Sequence, residues 1–371
     1  MNNRIYLGTR KGLFIWSRKG EEKGEWKQEK VCFLGEPVTM VLPDRRDGML
    51  YAALRLGHFG VKFHASSNGG ETWEERKVPV YPGEGEGSPE GSGEEKKKGA
   101  SLYQIWSLEP GAEDRPGLIW AGTIPGGLFK STDRGNSWEL VTSLWNAPER
   151  EKWMGGGYDD PGVHSICIDP RDSNRTILGV SVGGVWTSSD GGSSWACKGK
   201  GMRAEYMPPD LAYDPVAQDP HRVVQCPSNP DILWVQHHNG VFYSGDGAEN
   251  WTEIEKAGPS VFGFAVAVHP GDGRTAWFVP GVKDECRVPP EGKLVVTRTR
   301  DAGKTFEVLD KGLPEGPAYD IVYRHGLDID ATGDRLAMGS TTGGFWVSED
   351  QGDAWTCLSA HLPPIYCVRF E

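Results

Sequence analysis

One short pattern recurs six times along the chain: SSNGGETW from Ser66, STDRGNSW from Ser131, SSDGGSSW from Ser188, SGDGAENW from Ser244, TRDAGKTF from Thr299 and SEDQGDAW from Ser348. The aromatics that end the copies, Trp73, Trp138, Trp195, Trp251, Phe306 and Trp355, are spaced by 65, 57, 56, 55 and 49 residues. Repetition at that period means one supersecondary unit laid down again and again, each burying its apolar face on the next. Within a copy a hydroxyl residue precedes Asp or Asn, and Gly follows. The carboxylate or amide satisfies turn N–H groups and Gly supplies left-handed backbone. The aromatic then opens the next strand and is expected to fold back onto its own hairpin.

A chain of 371 residues has room for several ordinary domains, but 371 divided by 53 is seven, and 53 is close to the observed gaps. The expectation is therefore one closed ring over residues 1–371. The 51 Gly and 26 Pro supply many turns, and no long stretch carries helical apolar periodicity. A formal net charge of −12 argues against nucleic acid or an anionic membrane as partner. The sequence enters a strand almost at once with RIYLGT from Arg4, without an apolar leader or membrane-length run, so the cytoplasm is the expected compartment. The seven cysteines are odd in number and lack CxxC spacing, which reads as reduced, buried hydrophobes.

The units share one strand order. The clearest runs HSICIDP, TILGVSV and GGVWTSSDGGSSW from His164, and the next HRVVQCP, ILWVQHH and NGVFYSGDGAENW from His221. The N-terminus opens on a second strand, IYLGT, then GLFIW and a degraded turn ending at Trp26. Its missing first strand is supplied by IYCVRFE from Ile365, which closes the ring and removes the open edges. The charged, low-complexity segment 83–99 is expected as a flexible loop between two units.

Six such turns at this spacing resemble the Asp box, or BNR repeat, of sialidase-like β-propellers, over nearly the whole chain. The resemblance implies an all-β fold, a seven-bladed β-propeller, with its site on the face opposite the boxes, at the mouth of the central channel. The box acids Asp133, Asp190, Asp246, Asp301 and Asp350 are expected to be structural, since turn capping already accounts for them. Sialidases resemble one another in an Arg-Ile-Pro motif, an arginine triad and a Tyr–Glu pair. Here Arg4-Ile5 is followed by Tyr6, and Arg10, Arg55, Arg203, Arg287 and Arg324 form no recognisable triad. Sialidase activity is not expected.

On the box-free face, aligning first strands on their terminal Pro places Pro37, Gln104, His164, His221, Phe264 and Asp320 at one position. The loops after second strands add Arg10, Arg55, Gln236 and His238. On this reading His164, His221 and His238 come from neighbouring blades and converge near the axis, with Asp219 or Asp320 as partners. Long loops bring Trp153 and Tyr158, Arg203, and Arg287 to the same face. An aromatic rim over His, Arg and carboxylate suits a small polar or carbohydrate-like ligand. Three chemistries stay open: glycosidase-like hydrolysis by a carboxylate pair, metal-assisted elimination with a divalent ion on the histidines, and a non-catalytic scaffold for protein partners. The sequence leaves the oligomeric state open.

Overall fold

The repeated turns each close a hairpin by the same bonds. In the computed structural model, which describes residues 3–18, 24–83 and 99–371, the Ser188 hydroxyl donates to Asp190 Oδ1 at 2.9 Å and accepts the Gly192 N–H at 2.9 Å. Asp190 Oδ1 also accepts the Ser194 N–H at 2.9 Å. The arrangement recurs around Asn68, Asp133, Asp246, Asp301 and Asp350. Two successive left-handed residues make each reversal, for instance Gly191 (φ 69°) and Gly192 (φ 86°), a backbone twist that matches flanking strands. In one turn Ala248 (φ 73°) stands where the other five have Gly. The Ser194 side chain and N–H, with the Ser188 hydroxyl, hold the Asp190 carboxyl down at about 2. These acids are fully engaged in turns.

The hairpins assemble into seven four-stranded antiparallel sheets, the blades of a propeller. Six inner strands lie consecutively in sequence: Val38–Asp44, Gln104–Pro110, Val163–Ile168, Pro220–Gln225, Gly263–His269 and Leu327–Ile329. The seventh is Ile365–Phe370, which pairs with Arg4–Thr9 and so completes the first blade with the chain's last strand. Each sheet covers its faces against the next blade. Trp186, Trp234 and Trp277 are fully buried, each contributing about 1.5–3 kcal/mol or more by analogy with other large apolar side chains.

The turn aromatics do more than brace their own hairpins. Trp138 lies 5.4 Å from Phe63 of the preceding blade, and Trp251 donates its indole N–H to Lys198 O at 3.2 Å. An outer strand of two to four residues gives a large ring little to cover within its own blade, so it stitches adjacent blades together. All seven cysteines are free; Cys32, Cys226 and Cys367 are buried, but Cys286 and Cys357 are exposed, against expectation. Of the segment 83–99, residues 84–98 lie outside the described residues.

One irregularity positions everything that follows. Near its start each of five inner strands carries a single bulged residue opposite no partner: Tyr366, Thr39, Trp106, His164 and His221. In blade six the bulge takes Phe264 and Ala265. A bulge re-aims its side chain and frees a carbonyl from the ladder. The freed carbonyl of His164 accepts from His325 Nε2 (2.7 Å) and Arg222 (3.2 Å), donors of blades seven and five.

Candidate functional site

Three of the bulged residues, Thr39, Trp106 and Tyr366, line a cavity of about 650 Å³ on the face opposite the repeated turns. Trp106 and Tyr366 come from bulges, Arg10 and Arg55 from the ends of second strands, and Tyr158, Arg287, Tyr323 and Arg324 from links and loops. Tyr158 packs edge-on to Trp106 at 5.2 Å, and the Arg55 guanidinium lies 4.5 Å from the Tyr103 ring. Four guanidiniums thus face one space whose lining holds a single carboxylate, Glu36. Among the described residues only Arg287 of the four has an acidic partner, Asp284 at 2.6 Å. Arg324 is buried against Trp106 and Phe264, and its Nε meets no acceptor. Burial pulls the Arg324 pKa below its ordinary value, with the Asp219 charge opposing.

The cavity lining takes residues from blades one, two, three, six and seven and from the link between blades three and four; in blade five a second cluster sits behind Phe264. Asp219 Oδ2 lies 3.5 Å from His221 Nε2 and 3.3 Å from His238 Nδ1. The register explains the meeting: Pro220 pairs with His237, so Asp219 lies across from His238, whose N–H donates to the Asp219 carbonyl at 3.0 Å, and His221 follows Asp219 two residues on, in the bulge. The carboxylate is fixed by Val182 N–H on Oδ1 (3.2 Å), while the Asp219 N–H donates to His237 Nε2 (3.0 Å). His221 stacks on Phe264 with ring centres 4.5 Å apart, and that ring also carries the Arg324 and Arg287 guanidiniums. Burial alone would raise the Asp219 carboxyl, but His221, His238 and Arg324 hold it well below its ordinary range. Burial disfavours charge on His238 too, yet Asp219 outweighs it and raises that imidazole.

The structure thus gathers Arg10, Arg55, Gln104, Tyr158 and Arg287 in one cavity, and Asp219, His221 and His238 in the adjoining cluster. His221 and His238 belong to one blade, not to neighbouring ones. His164 is apart from them. It is buried beside Trp106, with ring centres 5.5 Å apart, and its Nδ1 bonds Ser165 Oγ while Nε2 has no partner. Four further expectations are corrected. Trp153 is core, packed on Trp186 at 5.6 Å, because the link that carries it turns inward between blades. Arg203 is held by Glu205 and Glu253, each at 3.0 Å. Gln236 spends its amide on the carbonyls of His237, Gly240 and Val261. Asp320 accepts from the Ser340 and Thr342 hydroxyls, since the inner strand of blade seven begins later, at Leu327.

Sequence reading missed Trp106, Tyr323 and Tyr366. Alignment on a terminal Pro shifts blades two and three by two residues relative to the bulge. Alignment on the residues that follow it, Trp106-Ser107-Leu108, His164-Ser165-Ile166 and His221-Arg222-Val223, recovers the register.

No family profile matches the chain. It is 27% identical over 250 residues to rat sortilin, covering 66% of the chain and 25% of sortilin. It is 24% identical over 284 residues to a probable oligoxyloglucan-reducing end-specific xyloglucanase of Neosartorya fischeri, covering 69% of the chain and 32% of that protein. The chain therefore spans about a quarter to a third of the curated relatives it matches. In structure it resembles the GH74 xyloglucanase of Xanthomonas campestris, with a TM-score of 0.65 at 18% identity over 98% of this chain and 52% of that one. That likeness shows the seven-bladed fold.

Proposed function

We propose that the cavity binds a small, acidic, carbohydrate-like molecule and that the protein processes it by hydrolysis or elimination. The observation that carries this reading is the set of guanidiniums, Arg10, Arg55 and Arg324, that face the cavity without a carboxylate partner among the described residues. In a chain of net charge −12, positive charge concentrated around one concavity draws in an anion. Arginine forks bind carboxylates bidentately, and the faces of Trp106, Tyr158, Tyr323 and Tyr366 suit the apolar faces of a sugar ring. The xyloglucanases among the relatives support a carbohydrate as the ligand class. Arginines on a sugar carboxylate also acidify the adjacent C–H, which favours elimination over simple hydrolysis where the substrate is a uronic acid.

Calorimetric titration with uronic acids and with their neutral counterparts tests this. The acids bind and the neutral sugars bind at least about tenfold more weakly, and Arg10→Ala and Arg55→Ala each cost about 10–100-fold in affinity for the acid, the range of a lost charge-assisted hydrogen bond. Equal binding of acidic and neutral sugars overturns the proposal. Binding without turnover would leave a ligand-binding platform.

A further inference from the structure

We propose that Asp219, His221 and His238 form a binding site for one divalent transition-metal ion. The argument starts from a proton. His221 Nδ1 lies 2.6 Å from the Gly263 carbonyl, which can only accept, so Nδ1 carries the hydrogen. In the neutral ring Nε2 is then a lone pair, and it faces the Asp219 carboxylate at 3.5 Å. Two acceptors held face to face require a cation between them, or a second proton on the imidazole.

The surroundings fix the ligands as a metal site requires. Gly263 O sets the His221 tautomer, the Val182 N–H holds Asp219 Oδ1, and Oδ2 is left for both imidazoles. Such outer bonds orient ligands and raise their basicity. The three ligand atoms lie within 4.8 Å of one another, with 3.5 and 3.3 Å from the carboxylate to the two nitrogens. A four-coordinate ion with bonds of about 2.0–2.1 Å places its ligands about 3.3 Å apart, so the two carboxylate–nitrogen pairs already fit, and the two nitrogens close on the ion by a shift of the half-buried His238. Two imidazoles and one carboxylate suit Zn²⁺, Mn²⁺, Fe²⁺ or Co²⁺ better than Ca²⁺ or Mg²⁺ and leave a coordination position open. His238 keeps 26% of its side chain exposed, which gives an ion access, while the rings of Tyr206 and Phe262 pack edge-on against it. The three ligands all come from blade five, and the assignment does not rest on the arginine-lined cavity.

The test strips the full-length protein with a chelator, reloads it by dialysis against Zn²⁺, Mn²⁺ or Co²⁺, and measures retained metal. Wild type retains about one ion per chain, and the Co²⁺ form shows ligand-field absorption from a site of nitrogen and oxygen donors. Asp219→Asn and His238→Ala each lower retention about 100-fold or more and abolish the cobalt bands, whereas Arg55→Ala retains both. The partly exposed His238 carries the test if the buried Asp219 variant fails to fold. Wild-type protein with native circular dichroism that holds less than about one ion per ten chains overturns the assignment, and so does undiminished retention by folded His238→Ala. In that case a second proton, not a metal, occupies the gap.

Discussion

The Arg324 guanidinium lies 4.7 Å from the ring of Trp106 and 5.6 Å from that of Phe264, and no acid pairs with it among the described residues. The Asp219 charge acts on it without contact; a buried cation with no contacting counter-charge is costly, and two aromatic faces compensate only in part. Such an arrangement makes physical sense where an anion completes it. Arg324→Leu should therefore leave the melting temperature of the free protein unchanged or raised, while lowering affinity for an acidic sugar about 10–100-fold. Scanning calorimetry and titration on the same samples check both halves. A large drop in melting temperature with unchanged affinity would mean that Arg324 serves the fold.

Trp153 should behave in the opposite way. Its ring is buried between blades three and four against Trp186, so Trp153→Ala costs about 3–5 kcal/mol in urea unfolding. Ligand affinity measured on the folded fraction should hardly change, because the side chain does not reach the cavity.

Ring closure predicts what truncation does. Removing residues 365–371 leaves Arg4–Thr9 without its inner partner and exposes the core neighbours of Val368 and Phe370. Cooperative unfolding should be lost and aggregates should appear on size-exclusion chromatography. A truncated protein that melts like wild type would contradict the pairing.

Acid should destabilise the channel floor in a defined window. Burial first, then the nearby Arg324 and Arg222 charges for His164 and the Arg222 and Arg369 charges for His325, hold both imidazoles well below their ordinary values. As pH falls through about 6.5 the unfolded chain takes up protons that the folded chain refuses. Stability is therefore retained above that pH and falls below it, by up to about 1.4 kcal/mol per pH unit for each such imidazole. His325→Gln keeps a donor for the His164 carbonyl but cannot titrate, so its urea midpoint should fall less steeply than that of wild type between pH 7 and 5. Parallel slopes would rule out this role for His325.

The repeated turns carry their own instructions, which is why blade count, hairpin positions and closure by Ile365–Phe370 could be read from the sequence. Ser188, Asp190, Gly192 and Ser194 bond within seven consecutive residues, and such local chemistry survives in any linear reading. The face opposite the turns was legible for the same reason, since topology alone assigns loops to faces.

Membership of the site was not local, and only the tertiary structure decided it. A single bulged residue near the start of five inner strands determines whether Trp106 or Gln104, His221 or Pro220, sits in the strand's re-aimed position, and a shift of one residue sends a side chain to the other face of a sheet. His221 and His238 meet through the register of one strand pair, and Asp219 joins them because its backbone is pinned between His237 and His238. Arginine is the same letter in every role. Arg203 is neutralised by Glu205 and Glu253, whereas Arg324 faces the cavity unpaired, a difference made by neighbours from distant parts of the chain.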